Sequence, residues 1–210
     1  MTCCVKKKPS KGHREEKAPC QSRRGGGFLR ITAGVHRSRR LTVPPIPGLR
    51  PAQDRVRAAV FSALGALVPE ARILDLFAGT GAYGIEALSR GAQSALFVEQ
   101  NPRTAEALRE NLLDLNYSFP VLTNPVENWL PQSTALFDLI FLDPPYDQTG
   151  AELSRWKVVQ GIERLLAPGG RIIWEHHPSS QWSPQEPLKQ VWHRTYGRSC
   201  VSFLAAPDAR

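Results

Sequence analysis

Residues 74–88 read LDLFAGTGAYGIEAL. An apolar run carrying one carboxylate, a turn holding Gly79 and Gly81, and then residues at helical spacing describe a strand, a tight turn and a helix start. The same alternation extends outward from this unit. RILDLF (72–77), ALFVE (95–99), FPVLT (119–123), FDLIFLD (137–143) and RIIWEH (171–176) are short apolar runs, with helical stretches around 82–90, 103–115 and 151–166 between them. Strands apolar on both faces and separated by helices predict an α/β fold, a doubly wound Rossmann-like parallel sheet covered on each side. LKQVWHRTY and SCVSFL, joined by Gly197 and Arg198, predict a hairpin that adds an antiparallel C-terminal edge to that sheet. There are no internal repeats.

Before the sheet, FLRITAGVHRSRRLTV (28–43) has strand-forming residues on both sides of Gly34 and four arginines, which suggests a small hairpin carrying charge outward. PPIPGLRP (44–51) is a connector, and DRVRAAVFSALGALV (54–68) spaces Val56, Val60, Phe61, Leu64 and Leu67 as one helical face, with Asp54 as its N-cap. Residues 1–27 are polar and basic and end in three glycines, a composition that cannot repay the entropy of ordering. The expected organisation is a disordered tail at 1–27, an accessory hairpin and helix at 28–70, and the main domain at 71–210.

Charge is divided along the chain. Residues 1–58 hold 15 Lys/Arg against 3 Asp/Glu, whereas the remainder holds 12 against 16. Clustered cations suit a polyanion such as nucleic acid, because neutralised phosphates release their counterions. A solvated tail kept for solubility is the plainer alternative. Cys3, Cys4 and Cys20 lie in the tail and Cys200 near the C-terminus, without the paired spacing of a zinc site. His176 and His177 lack an evident third ligand, so no metal is expected. With no apolar leader and no run approaching about 18 apolar residues, a reduced cytoplasmic protein is expected, neither secreted nor membrane-spanning.

Gly79, Gly81 and Gly84 satisfy GxGxxG, and Glu99 ends the next strand, so a dinucleotide site is one reading. Asp75 argues against it. A carboxylate at the end of the first strand would oppose a pyrophosphate, yet it could pair with the ammonium of the methionine part of S-adenosyl-L-methionine. Glu99 would then accept hydrogen bonds from the ribose hydroxyls, and the glycines would let the backbone pass close to the cofactor.

DPPY at 143–146 supports that choice, since a dehydrogenase has no use for it. Placed at the carboxyl end of a central strand, it faces the ligand crevice. An exocyclic amine is a poor nucleophile because its lone pair is delocalised into the ring. The Asp143 carboxylate and the Pro144 carbonyl can accept both amine hydrogens and so hold the nitrogen in line, while Tyr146 offers a face for a base drawn out of its stack. An ordinary Asp-Pro turn is the competing explanation, and it weakens once the glycine turn and Glu99 are counted with it.

These blocks resemble bacterial 16S ribosomal RNA guanine-N2 methyltransferases of the guanine 966 type, over about residues 28–206. The family pattern RIxxGxxRGRxL appears from Arg30 to Leu41, RPTxDRVREALFN as RPAQDRVRAAVFS (50–62), and LDLFAGSGALGLEALSRGA as LDLFAGTGAYGIEALSRGA (74–92). The resemblance implies a seven-stranded class I methyltransferase sheet and methylation of a guanine N2 amine in 16S rRNA or the assembling small subunit, by a monomer. It implies that Asp75, Phe77, Gly79, Thr80, Gly81 and Glu99 hold the cofactor, with Asp143, Pro144 and Tyr146 at the amine. Arg30, Arg37, Arg39, Arg40, Arg50, Arg55 and Arg57 are implied to meet the RNA. Ser38, Ala52 and Ser62 depart from the pattern's glycine, threonine and asparagine. Where related enzymes place a polar residue near adenine, Pro125 and Val126 offer backbone groups, with Glu127 and Asn128 as substitutes. A DNA adenine-N6 or cytosine-N4 methyltransferase shares the DPPY logic but usually needs a larger target-reading region. A non-catalytic RNA-binding assembly protein is opposed by the presence of Asp75, Glu99, Asp143 and Tyr146.

Overall fold

The structure, a computed structural model, describes residues 27–45, 54–144, 161–178 and 186–206. The basic tail up to residue 26, most of the proline-rich connector with Arg50 and Ala52, Tyr146, and the first part of the helix expected from 151 lie outside the described residues. The N-terminal extension comprises strands β1 (Gly27–Arg30) and β2 (Arg40–Val43), paired antiparallel, and helix α1 (Asp54–Leu64), which continues into a 3-10 turn at Gly65–Leu67. The main domain then alternates β3 (Arg72–Leu76), α2 (Ala82–Ser89), β4 (Ser94–Glu99), α3 (Pro102–Asp114), β5 (Val121–Thr123), α4 (Val126–Trp129) and β6 (Phe137–Leu142). It closes with β7 (Leu166–His176), β8 (Lys189–Tyr196) and β9 (Ser199–Ala205). No described helix is long and apolar enough to cross a membrane.

The seven strands run in the order β5-β4-β3-β6-β7-β9-β8, with β3 to β7 parallel and the last two pairings antiparallel. The edge is β8, and β9 lies inside it. Burial explains the choice, because β9 is buried along almost its whole length whereas β8 is largely exposed. Alternating side chains divide the core into two layers. Ile73, Leu139, Phe141 and Ile173 meet Phe61 of α1 and Ile85 of α2, while Leu74, Ile140, Leu142, Ile172 and Trp174 meet Val126 and Leu130 on the other face. The helical reading of 151–166 fails at its end. Ile162–Leu165 form a single 3-10 turn and Leu166 already pairs with Phe137, so sheet pairing overrides the local helical pattern there.

One buried acid fastens the N-terminal hairpin to the sheet. Glu86 of α2, fully buried, accepts hydrogen bonds from Thr32 N (2.8 Å), Thr32 Oγ1 (2.6 Å) and Ala33 N (3.1 Å), and pairs with Arg57 (3.3 Å) and Arg90 (2.8 Å). Arg57 is therefore not the RNA contact expected of it. At 1% exposure its guanidinium is held by Glu86, by Asp54 at 2.9 Å and by the Arg30 carbonyl, and it joins α1 to the hairpin.

The loop at the hairpin's tip depends on left-handed backbone. Gly34 has φ +83°, and a Cβ there would lie 1.8 Å from the Ser89 carbonyl oxygen. Ser38 has φ +70°, which is why the family pattern carries glycine at that position; the serine bears a strain of roughly 1 kcal/mol. Ser62 is exposed on α1 and its departure costs nothing visible. Gly34→Ala combines the left-handed penalty with a backbone clash and is expected to destabilise by roughly 1–3 kcal/mol, read as a lower urea midpoint at unchanged m-value.

Candidate active site

Between β3 and β6 the connections leave in opposite directions, β3 towards β4 and β6 towards β7, so a crevice opens at the carboxyl ends of these two strands. The turn leaving β3 is unusual in its backbone. Phe77 (φ +57°), Gly79 (φ +55°) and Gly81 (φ +83°) are all left-handed within five residues, and Phe77 adopts that conformation without glycine's freedom. Close packing excludes side chains behind the turn. A Cβ on Gly81 would lie 2.3 Å from Leu108, and one on Gly84 would lie 2.3 Å from Phe97 and 3.0 Å from Asp75 Oδ2. The backbone thus reaches the crevice bare.

Two acids flank the turn. Asp75, 2% exposed, accepts a hydrogen bond from Gly84 N at 2.9 Å. Burial pushes its pKa up to about 8, against the Gly84 hydrogen bond, with the nearby Glu99 charge adding to the rise. Glu99 ends β4 and accepts from Gly79 N at 2.9 Å and from Asn101 N at 2.7 Å. Each of these oxygens has a second lone-pair direction, so Glu99 can accept further hydrogen bonds. Thr80 is buried, and its carbonyl accepts from Asn111 Nδ2 at 3.2 Å, which ties the turn to α3.

Across the crevice, Asp143 and Pro144 follow β6 directly and are partly exposed. Tyr146 lies outside the described residues. Asp75, Phe77, Gly79, Thr80, Gly81, Glu99, Asp143 and Pro144 are therefore brought to one end of the sheet. At the expected adenine end, Val126 turns into the core, while Glu127 and Asn128 are exposed on α4.

Two residues escaped the sequence reading. Tyr83, in the first turn of α2, is buried against Phe141 (ring centroids 5.1 Å) and donates to Glu175 Oε2 at 2.7 Å. Its hydroxyl pKa is raised by burial, by Glu175 and by the Asp143 charge, so all three groups share one region. A signal was present: Tyr83 stands where the family pattern has leucine, and Glu175 lies one residue before the end of its strand, as Glu99 lies at the end of β4. His176, by contrast, is a packed side chain, stacked on Trp174 at 4.1 Å and bonded to Ser202 at 3.0 Å.

Arg30, Arg37, Arg39, Arg40 and Arg55 are exposed, the first four on the hairpin. Arg39 also donates to the Asp114 carbonyl (2.9 Å), and the Arg40 guanidinium lies 5.6 Å over the Phe28 ring.

Residues 29–205 match the family described as "Conserved hypothetical protein 95". The chain belongs to that family. It is 40% identical over 123 residues to ribosomal RNA small subunit methyltransferase D of Escherichia coli K12, covering 58% of this chain and 62% of that one, so the match spans under two thirds of the relative. The protein of the same name from Haemophilus influenzae is 40% identical over 131 residues, 60% of this chain and 68% of that one. Among solved structures of this fold, the yhhF protein of Escherichia coli superposes with a TM-score of 0.75 at 27% identity, over 86% of this chain and 98% of that one.

Proposed function

We propose that the protein transfers a methyl group from S-adenosyl-L-methionine to the N2 amine of a guanine in 16S rRNA of the small ribosomal subunit. The observation that carries the reading is the position of Asp143 and Pro144 at the end of β6, beside a bare glycine turn flanked by Asp75 and Glu99. The family relatives named for small-subunit rRNA methylation and the exposed arginines of the hairpin support the choice of substrate.

The site suits that cofactor. Asp75 is a buried carboxylate whose one described donor is a backbone N–H, and an ammonium ion would satisfy it. Glu99 retains acceptor capacity for two ribose hydroxyls, and Phe77, Gly79, Thr80 and Gly81 bring backbone to within reach. When bound, S-adenosyl-L-methionine supplies an electrophilic methyl group on sulfur. The protein's part is orientation: Asp143 and the Pro144 carbonyl accept the two amine hydrogens, fixing the nitrogen and localising its lone pair, while Tyr146 stacks on the guanine. Arg30, Arg37, Arg39, Arg40, Arg50 and Arg55 hold the phosphates.

The test is methylation with labelled cofactor of small ribosomal subunits from a strain lacking the gene, in parallel with plasmid DNA, followed by mapping of the modified nucleotide. Label in one guanine of 16S rRNA supports the reading. Label only in DNA, or a deletion strain that loses no rRNA methyl mark, overturns it.

Asp75 also makes a pH prediction. Its folded pKa is raised above the unfolded value, so the free protein holds a proton there that the unfolded chain has already released; stability from this group is complete below about pH 4 and is lost as pH rises towards about 8. Pairing with an ammonium requires the carboxylate. Binding of S-adenosylhomocysteine should therefore release a proton and tighten up to about tenfold per pH unit between pH 6 and 8, and Asp75→Asn should weaken binding and flatten the slope. Calorimetry in buffers of different ionisation enthalpy checks both; a pH-independent affinity would remove Asp75 from the ammonium site.

A further inference from the structure

We infer that Glu175, held by Tyr83, selects guanine by accepting the N1–H of the target base beside the amine that Asp143 holds. The inference rests on the guanine-N2 reading above and adds the residue that recognises the rest of the base.

Three observations place Glu175 there. Leu142 of β6 pairs with Trp174 of β7, so the next residues, Asp143 and Glu175, leave neighbouring strands at the same level. Phe141 and Ile173, two positions earlier, both face the core layer that contains Tyr83. The period of two along a strand directs Glu175 to that same side, and the 2.7 Å bond from the Tyr83 hydroxyl agrees with it. Tyr83 also senses the charges of both Glu175 and Asp143, so the two carboxylates converge on one ring from adjoining strands.

The third observation is an incomplete set of partners. Glu175 is 7% exposed, yet among the described residues its side chain takes a single hydrogen bond, from Tyr83 to Oε2, and Oε1 takes none. A buried carboxylate with an unused oxygen is costly unless something donates to it, and a bound ligand is a natural donor. Guanine presents N1–H next to its N2 amine. Once Asp143 and Pro144 engage the amine, N1–H needs its own acceptor at the same edge of the base. Adenine and 2-aminopurine have an unprotonated N1 there, and its lone pair would meet the carboxylate with no proton between them. Tyr83 is then a positioning residue. It occupies one oxygen, fixes the carboxylate between α2 and β7, and leaves the other oxygen for the base.

2-Aminopurine separates the two jobs, because it keeps the 2-amine and lacks N1–H. The experiment compares single-turnover methylation of small-subunit rRNA, assembled by ligation to carry either guanine or 2-aminopurine at the mapped position. Wild type should prefer guanine by at least ~10²-fold, since a site built to accept a hydrogen bond rejects an analogue that cannot donate it. Glu175→Gln can still accept from Tyr83 and can turn its amide N–H towards N1. It should bring the preference within about tenfold, through a slower guanine reaction and an equal or faster 2-aminopurine reaction. Tyr83→Phe should erode the preference in the same direction while S-adenosylhomocysteine affinity is retained, and it carries the test should Glu175→Gln not fold. A merely structural pair would change both substrates alike and leave their ratio untouched; that result, or a wild-type preference of only a few fold, overturns the assignment while the methyltransferase reading stands. If wild type methylates neither RNA, the proposed function itself fails.

Discussion

Asp143→Ala is expected to lower the single-turnover rate of methyl transfer to small-subunit rRNA by at least ~10²–10³-fold, with RNA affinity changed by no more than about threefold. The separation follows from where the groups lie. Asp143 sits at the sheet's carboxyl edge beside the glycine turn, whereas the exposed arginines that would hold phosphates are on the hairpin and at the start of α1. Losing the carboxylate removes an acceptor for one amine hydrogen and the negative charge that steadies the nitrogen as it becomes cationic. Asp143→Asn keeps the shape and one acceptor oxygen but can present N–H groups to the amine, so it should also be slow. Filter binding with the same RNA supplies the control. An unchanged rate in Asp143→Ala would take this residue out of the mechanism, and a parallel loss of binding would make it a binding residue instead.

Glu86→Ala is expected to cost roughly 3–5 kcal/mol, the largest stability effect among single substitutions of the described polar residues. No water can replace the carboxylate cheaply, because Glu86 is fully buried and its partner Arg57 is 1% exposed. Its removal takes from the buried Arg57 guanidinium its buried ion-pair partner, leaves Thr32 N and Ala33 N without the acceptor they use, and breaks the ion pair of Arg90, which also lies 4.9 Å over the Phe61 ring. Against a total of about 5–15 kcal/mol for an ordinary domain, that loss approaches unfolding. Glu86→Gln preserves the volume and one acceptor and should cost less. Urea denaturation measures the difference, and limited proteolysis shows whether the hairpin detaches first. A Glu86→Ala variant within about 1 kcal/mol of wild type would mean that the hairpin is held by its apolar contacts at Leu29, Ile31, Leu41 and Val43 alone.

Both predictions concern residues that local pattern treats differently. Asp143 was legible as a candidate because it follows an apolar run and precedes two prolines, a placement with few ordinary uses. Glu86 and Arg57 were not, because each looks like a solvent-facing helix charge, and Arg55, two residues before Arg57, is indeed exposed. A buried ion pair is made by two helices meeting, and neither helix carries the information alone.

What the sequence determined by itself is the alternation of strands and helices, the glycine turn with Asp75 and Glu99, and the basic N-terminal quarter, because hydrophobic period, turn chemistry and charge are local properties of the chain. Only the tertiary structure decided that β9 lies inside β8, that Leu166 joins the sheet instead of ending a helix, that Arg57 is spent on Glu86, and that Tyr83 meets Glu175 level with Asp143. Each of these depends on which surfaces cover one another, and burial is settled between segments far apart in the chain.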